Sequence, residues 1–243
     1  MLKKLPKIII AVIVVTGLMG GFTYLYQNGL SGKYANSEAV EGQIKVACVG
    51  DSITYGLGIH NWKENNYPAV LQKLLGEAYH VANFGSSGCC VNPLGSKPYC
   101  DREIYQKSLD YDADILVFML GTNDAKLENW TDKETFLSDY MALLRTYMEG
   151  ENPPKLYIGI CSEAYFVKES ENGVAGFDIQ PAVVDEIAEY LVQMSWSSVY
   201  PCSLIDIHTL TEAHPEWFKT DGIHPDKEGA RAIAEAVAEA IKE

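Results

Sequence analysis

The chain has 243 residues, of which 47% are hydrophobic and 21% are charged, a composition typical of a globular protein with a sizeable core. Of its 19 basic side chains, three lie in residues 1–30, which contain no acidic residue, so residues 31–243 carry 16 basic and 33 acidic side chains. A domain this acidic is repelled by nucleic acid and by anionic lipid, and neither is an expected partner.

The first residues differ in composition from the rest. Lys3, Lys4 and Lys7 precede an uncharged apolar run at 8–26, which at about 1.5 Å per helical residue nearly crosses a bilayer. The run is longer than the roughly 7–15 residues of a signal-peptide core, so residues 1–29 are predicted to be a signal peptide or a membrane anchor. The positive-inside rule places the lysines in the cytoplasm. We therefore expect a protein that is secreted or anchored to the outer face of the cytoplasmic membrane, with membrane contact only through this segment.

A polar linker is predicted at 30–42 and one domain at 43–243. Short apolar runs predict five strands, at 44–49, 80–84, 115–120, 156–160 and 204–207. Helical periodicity appears between and after them, at 67–75, 131–148, 179–194 and 227–241. Short, largely apolar strands that alternate with helices favour a parallel sheet covered on both faces. The expected fold is therefore α/β, a three-layer α/β/α sandwich around a five-stranded parallel sheet.

Six cysteines in an exported chain are compatible with disulfide bonds. Cys48 and Cys161 lie in apolar strand-like runs, which indicates buried thiols. Cys89, Cys90 and Cys100 share one loop-rich stretch, where we expect one local bridge to Cys100. A nucleophilic role for Cys89 or Cys90 is a weaker alternative, because neither has a histidine nearby in the sequence.

Gly-Asp-Ser follows the first predicted strand at 50–52. A strand that ends in a tight turn presents the next side chain at the carboxyl edge of an α/β sheet, where ligands bind. Ser52 is therefore a candidate nucleophile, and the alternative is that Asp51 or Ser52 only caps the next helix. Asp221 and His224, three residues apart, can pair as carboxylate and imidazole within one turn. With Ser52 they form a candidate catalytic triad, the alternative being a surface aspartate and a histidine at a helix start.

Acyl transfer also requires hydrogen-bond donors aimed at the oxyanion. Three candidate donors follow three different strands: the backbone N–H of Ser52, the backbone N–H of Gly88 and the side-chain amide of Asn123. Gly85 is an alternative to Gly88, and Asn123 alternatively closes a turn. Right-handed crossovers bring the carboxyl ends of parallel strands to one edge, so we expect these residues to meet there.

No metal site is predicted. The aspartates within 110–114 resemble the start of a calcium loop, but Ile115 stands where that loop requires glycine. Asp206 and His208 alternate at a strand end without a third ligand at suitable spacing, so a hydrogen-bonded histidine is favoured over a metal ligand.

Four sequence blocks, in order along the chain, resemble the GDSL-type esterases, also called SGNH hydrolases after the Ser, Gly, Asn and His of these blocks. They are Gly-Asp-Ser-Ile-Thr at 50–54, Asn-Phe-Gly-Ser-Ser-Gly at 83–88, Gly-Thr-Asn-Asp at 121–124 and Asp-Gly-Ile-His-Pro at 221–225. The resemblance implies a flavodoxin-like sheet and an esterase activity that requires no cofactor.

The resemblance also implies roles for individual residues. Ser52 corresponds to the nucleophile, His224 to the base and Asp221 to the partner of the base. Ser52, Gly88 and Asn123 correspond to the oxyanion donors, and Gly88 matches because it follows the serine of the second block.

Within the family, Asn-Tyr-Pro at 66–68, Trp130 and the last block are similar to the sialate O-acetylesterase-like, or carbohydrate acetylesterase, branch. Cys89 and Cys90 stand where that branch commonly has a polar or basic residue, which predicts a different substrate pocket. The expected function is an exported serine esterase that hydrolyses short acyl esters, acetyl above all, on carbohydrates. The alternatives are a lipase, lysophospholipase or thioesterase of the same family, and a carbohydrate-binding protein that has lost catalysis.

Overall fold

A five-stranded parallel sheet forms the centre of the structure, a computed structural model that describes residues 36–166, 175–194, 196 and 200–243. The strands lie in the order β2-β1-β3-β4-β5, and each neighbouring pair is parallel. They are β1 (Ile44–Gly50), β2 (Tyr79–Gly85), β3 (Ile115–Met119), β4 (Lys155–Gly159) and β5 (Cys202–Ile205). The predicted α/β fold is confirmed.

Helices lie on both faces of this sheet. They are α1 (Ser52–Tyr55), α2 (Trp62–Asn65), α3 (Tyr67–Leu75), α4 (Glu103–Asp110), α5 (Lys133–Met148), α6 (Pro181–Gln193), α7 (Ile207–Glu212) and α8 (Lys227–Lys242). Single turns of 3₁₀ helix occur at Tyr99–Asp101, Thr122–Ala125, Gly176–Asp178 and Pro215–Trp217. The four predicted helices correspond to α3, α5, α6 and α8. Helices α1, α2 and α7 carry too few turns to show a period in the sequence, and α4, of eight residues, was not predicted.

Successive residues of the central strands face opposite layers. On β1, Ala47 and Val49 belong to a core that also holds buried residues of α5 and α6. Val46 and Cys48 belong to a second core with buried residues of α3 and α8. All four are at most 1% exposed. A strand segment buried on both sides has no position for a polar side chain, which is why the sequence from Val46 to Val49 is apolar.

The fifth strand ends earlier than predicted. The apolar pattern indicates a strand at 204–207, but α7 already begins at Ile207. Asp206 accepts a hydrogen bond from the N–H of Thr209 at 2.9 Å and so caps this helix. A side-chain cap outweighs the strand preference of one isoleucine.

The predicted disulfide to Cys100 is wrong, because all six cysteines are free. The sulfur of Cys89 lies 3.1 Å from Ser86 Oγ, and that of Cys90 lies 3.5 Å from the carbonyl oxygen of Asn92. Both thiols therefore face partners within their own loop and not Cys100.

The described end of the predicted linker contacts β2. Asn36 exchanges hydrogen bonds with the backbone of Asn83 at 3.1 and 2.8 Å, and Ser37 Oγ lies 2.9 Å from His80 Nε2. The predicted leader at 1–29 lies outside the described residues. Among the helices that the structure describes, each is too short or too polar to cross a membrane.

Candidate active site

Ser52 begins α1 directly after the carboxyl end of β1. Asp51 Oδ1 accepts a hydrogen bond from the N–H of Ile53 at 2.9 Å, so the cap of this helix is Asp51 and the Ser52 hydroxyl is not needed for it. A Cβ atom at Gly50 would overlap the side chain of Thr54, so glycine is required where the helix turns back over the strand.

Two hydrogen bonds in series link Ser52, His224 and Asp221. Ser52 Oγ lies 2.8 Å from His224 Nε2, and His224 Nδ1 lies 2.9 Å from Asp221 Oδ2. An ionised carboxylate can only accept, so Nδ1 carries the hydrogen, and Nε2 of the neutral ring accepts from the Ser52 hydroxyl. The structure thus brings together residues that lie 172 positions apart in the chain.

Asp221 is fixed by its own backbone neighbours. Its Oδ1 accepts hydrogen bonds from the N–H groups of Ile223 and His224, both at 2.9 Å. Burial opposes ionisation of this carboxyl, but hydrogen bonds from the His224 ring and the two N–H groups, with the positive charge that His224 carries when protonated, lower its pKa to about 2. Gly222 has a φ of +72°, and a Cβ atom there would overlap the carbonyl oxygen of Tyr165. The turn therefore presents an ionised, immobile carboxylate to the imidazole.

Asn123 is oriented by Asp51. Asn123 Nδ2 donates to Asp51 Oδ2 at 3.1 Å. The backbone carbonyl oxygen of Asn123 accepts from Asn129 Nδ2 at 2.7 Å. An amide nitrogen carries two hydrogens, so the second remains for a ligand. Burial raises the pKa of Asp51. The hydrogen bonds from Ile53 and Asn123 and the positive charge of a protonated His224 lower it, but by less. Sequence reasoning considered Asp51 only as an alternative helix cap and missed this second contact, which depends on the pairing of β1 with β3.

Gly88 lies in the loop after β2 with a φ of +79°, a left-handed conformation that favours glycine. Hydrogen bonds tie this loop to both neighbours. The N–H of Ser86 donates to the carbonyl of Gly50 at 2.9 Å. The Asp124 carboxylate accepts from the N–H of Val91 at 3.0 Å and from the next N–H at 3.1 Å. The loops that carry the three candidate oxyanion donors are therefore held to one another.

Lys97 also borders this loop, although its sequence context did not single it out. Its Nζ donates to the carbonyl oxygen of Ser87 at 2.7 Å, beside Gly88. Burial lowers the pKa of Lys97. Its charge is thus placed next to a candidate oxyanion donor.

An aromatic side chain lies against the imidazole. The ring of Phe177 meets that of His224 edge-on, with 5.5 Å between centroids, and Phe177 is 45% exposed. Phe177 belongs to the loop between β4 and α6, of which residues 167–174 lie outside the described part. The described end of that loop does reach the candidate site.

The nearby thiols are held protonated. Burial raises the pKa of Cys90 to about 12, and burial likewise raises that of Cys89. A thiol is a nucleophile only as thiolate, so these values argue against the cysteine alternative.

Asp124 makes stability depend on pH. Burial raises its pKa to about 7, because the hydrogen bonds from Val91 and Asn92 offset only part of the lost hydration. In the unfolded chain the pKa is about 3.9, so between these values the folded state holds a proton that the unfolded state has released. The free energy of unfolding therefore falls as pH rises from about 4 to about 7.

Asp124→Asn should remove this dependence and keep one oxygen for the two N–H groups. We expect the free energy of unfolding of the wild type, measured by urea denaturation, to fall by about 1–3 kcal/mol relative to that of the variant as pH rises from about 5 to about 8. If the free energy of unfolding depended on pH in the same way in both proteins, the raised pKa would not belong to Asp124.

The parallel sandwich brings these motifs to one sheet edge. The chain belongs to the GDSL-like lipase/acylhydrolase family, whose model matches residues 48–232. An acetylxylan esterase of Xylanibacter ruminicola is 34% identical over 218 residues, which cover 83% of this chain and 44% of that protein. The chain thus spans less than half the length of that relative.

Solved structures share the fold. A candidate arylesterase from Agrobacterium tumefaciens str. C58 superposes with a TM-score of 0.66 at 20% identity, covering 82% of this chain and 99% of the other. A carbohydrate acetylesterase from Sinorhizobium meliloti has a TM-score of 0.63 at 17% identity, with coverage of 82% and 99%.

Proposed function

We propose that the protein is a serine esterase that removes short acyl groups, acetyl above all, from carbohydrate hydroxyls. The observation that carries the proposal is the hydrogen-bond chain from Ser52 through His224 to Asp221. A serine hydroxyl is a weak nucleophile until a neighbouring base accepts its proton. His224 Nε2, at 2.8 Å from Ser52 Oγ, is placed to accept it.

In this proposal Ser52 Oγ attacks the ester carbonyl as its proton moves to His224 Nε2. Asp221 keeps the ring oriented and stabilises the imidazolium. The oxyanion accepts hydrogen bonds from the N–H groups of Ser52 and Gly88 and from the free amide hydrogen of Asn123. The imidazolium then protonates the leaving sugar alkoxide, and water activated by His224 hydrolyses the acyl-enzyme.

The narrow surroundings of the serine support a small acyl group. Ser52 is 5% exposed and His224 is 4% exposed, so a carbonyl reaches Oγ only through a restricted opening. Phe177 borders that opening with its ring edge-on to His224. A long acyl chain would need an apolar groove leading away from the serine.

The charge and the similarity to a known enzyme support a carbohydrate as the alcohol part. With 33 acidic against 16 basic side chains, residues 31–243 disfavour anionic phospholipid and tolerate a neutral sugar. The 34% identical relative is an acetylxylan esterase, which makes acetylated xylan fragments the first substrates to try. The lysine-flanked apolar run at 8–26 supports action outside the cytoplasmic membrane, where such polymers occur.

The test is a chain-length series of aryl esters, from acetate through butyrate and octanoate to laurate, followed by acetylated xylo-oligosaccharides. We expect kcat/KM for the acetate to exceed that for the octanoate by about 100-fold, since added methylenes must be accommodated beside a serine and a histidine that are nearly buried. Acetate release from the oligosaccharides should exceed that from the aryl ester at equal concentration. A maximum at octanoate or laurate would favour the lipase alternative. Sugar binding without hydrolysis of any ester would favour the binding-protein alternative.

A further inference from the structure

Besides the candidate triad and oxyanion donors, three further side chains from separate parts of the chain converge. Glu163 follows β4, Asp185 lies on α6 and His208 lies on α7. His208 Nε2 is 3.3 Å from Glu163 Oε2 and 3.6 Å from Asp185 Oδ1, and one ligand atom from each residue lies within 4.8 Å of the other two. The sequence paired His208 with Asp206, which the structure uses to cap α7.

The second ring nitrogen of His208 has a fixed partner. His208 Nδ1 lies 3.3 Å from the carbonyl oxygen of Cys161. A carbonyl only accepts, so Nδ1 carries the hydrogen, and Nε2 faces the two carboxylates, where it can offer its lone pair to a shared ion. Metal-ligating histidines are held in this way, one nitrogen on a backbone carbonyl and the other on the ion. A cation between them removes the repulsion among three electron-rich atoms.

Two of the three separations in the cluster suit ligand atoms on a shared ion, and the third lies within 4.8 Å. Charge-assisted N–H···O bonds are about 2.7–2.9 Å long. Ligand atoms that each lie about 2.0–2.1 Å from a tetrahedral ion are about 3.3 Å from one another. The separations of 3.3 and 3.6 Å around His208 Nε2 match the second geometry.

The cluster has one open side. The side chains of Glu163 and His208 are 12% and 16% exposed, whereas that of Asp185 is 57% exposed. A surface cavity of about 510 Å³, lined in part by Asp185, Asp206 and His208, borders it. An ion can enter from the Asp185 side and keep water in its remaining coordination positions.

We propose that Glu163, Asp185 and His208 bind one divalent transition-metal ion, and that Zn²⁺ fits the donor set best. One imidazole nitrogen and two carboxylate oxygens suit Zn²⁺ or, less tightly, Mn²⁺. Ca²⁺ and Mg²⁺ prefer sites made of oxygen alone.

The ion has a structural role, because it joins the segment after β4 to α6 and α7. That segment supports the turn that carries Asp221. The N–H of Glu163 donates to Thr211 Oγ1 at 2.9 Å, and the N–H of Tyr165 donates to the carbonyl of Gly222 at 2.8 Å. Metal binding therefore stabilises the segment that supports the Asp221 turn, and the ion itself does not contact the substrate.

The test is calorimetric titration of the metal-free full chain with Zn²⁺, followed by thermal unfolding with and without the ion. We expect one ion per chain and a Tm raised by about 5 °C at about a hundredfold excess over Kd. His208→Gln and Asp185→Asn should each weaken binding by about 100-fold, and Mg²⁺ should not bind. His214→Gln is the matched control, because His214 Nδ1 lies 2.7 Å from Glu216 Oε1 at an exposed site and should leave binding unchanged.

Zn²⁺ binding that is equally tight in Asp185→Asn and in the parent chain would overturn the proposal. So would the absence of a Tm rise with Zn²⁺ in the parent chain, which would reduce the cluster to an ion pair. Asp185→Asn keeps the test valid if His208→Gln fails to fold, because Asp185 is half exposed and the His208 bond to Cys161 is left intact.

Discussion

Ser52→Ala should lower kcat on an aryl acetate by about 10⁴- to 10⁶-fold, with KM little changed. The variant loses the only atom that can form the acyl-enzyme in the proposed mechanism, while the oxyanion donors Gly88 and Asn123 stay in place. Residual activity above that of water is expected from those donors. The measurement is steady-state hydrolysis, with mass spectrometry after treatment with a serine-directed sulfonyl fluoride to detect the adduct on Ser52.

Ser87→Ala is the matched control for this experiment. Ser87 is 4% exposed in the loop beside Gly88, and among the described residues its hydroxyl has no hydrogen-bond partner. Removal of an unpaired buried hydroxyl is close to neutral, so this variant should retain activity within a few-fold and still be labelled at Ser52. Full activity in Ser52→Ala, or labelling elsewhere that abolishes activity, would refute Ser52 as the nucleophile.

The fold was predictable because its signals are local. The run at 115–120 is apolar at every position, and that at 44–49 is apolar except at Lys45. The helix at 67–75 has an apolar period and coincides with α3. The exceptions depended on contacts with other residues. The cap at Asp206 shortens the fifth strand, and partners within its own loop keep Cys90 away from Cys100.

The candidate site was predictable only as far as short motifs reach. Asp221 and His224 lie within one turn, so their pairing follows from spacing alone. The contact of Ser52 with His224 needs the whole fold, and the sequence gives it only through the shared sheet edge. The cluster of Glu163 with His208 has no local signal in the sequence, because its members come from segments that are distant along the chain.

Asp51 is the less obvious determinant of the proposed oxyanion site. It sits between β1 and Ser52, and its two carboxylate oxygens serve different loops. Oδ1 accepts from the N–H of Ile53, and Oδ2 accepts from the amide of Asn123 at 3.1 Å. An asparagine at position 51 keeps an oxygen for Ile53, but its NH₂ group would face the NH₂ group of Asn123. The Asn123 amide would then have to rotate away from the position in which its second hydrogen can meet an oxyanion.

Asp51→Asn should therefore lower kcat by about 10²- to 10³-fold, the effect of losing one oxyanion donor, with a smaller change in KM. Asn123→Ala should have an effect of similar size. If Asp51 acts through Asn123, the double variant is no slower than Asn123→Ala, because the second change removes nothing further. If the loss of kcat in the double variant equalled the product of the two single losses, Asp51 would act on catalysis by another route, such as the charge it places near His224. Unfolding in urea separates either outcome from simple destabilisation. A structural effect would lower the unfolding midpoint of Asp51→Asn. It would leave unchanged the ratio of kcat between Asn123→Ala and the double variant.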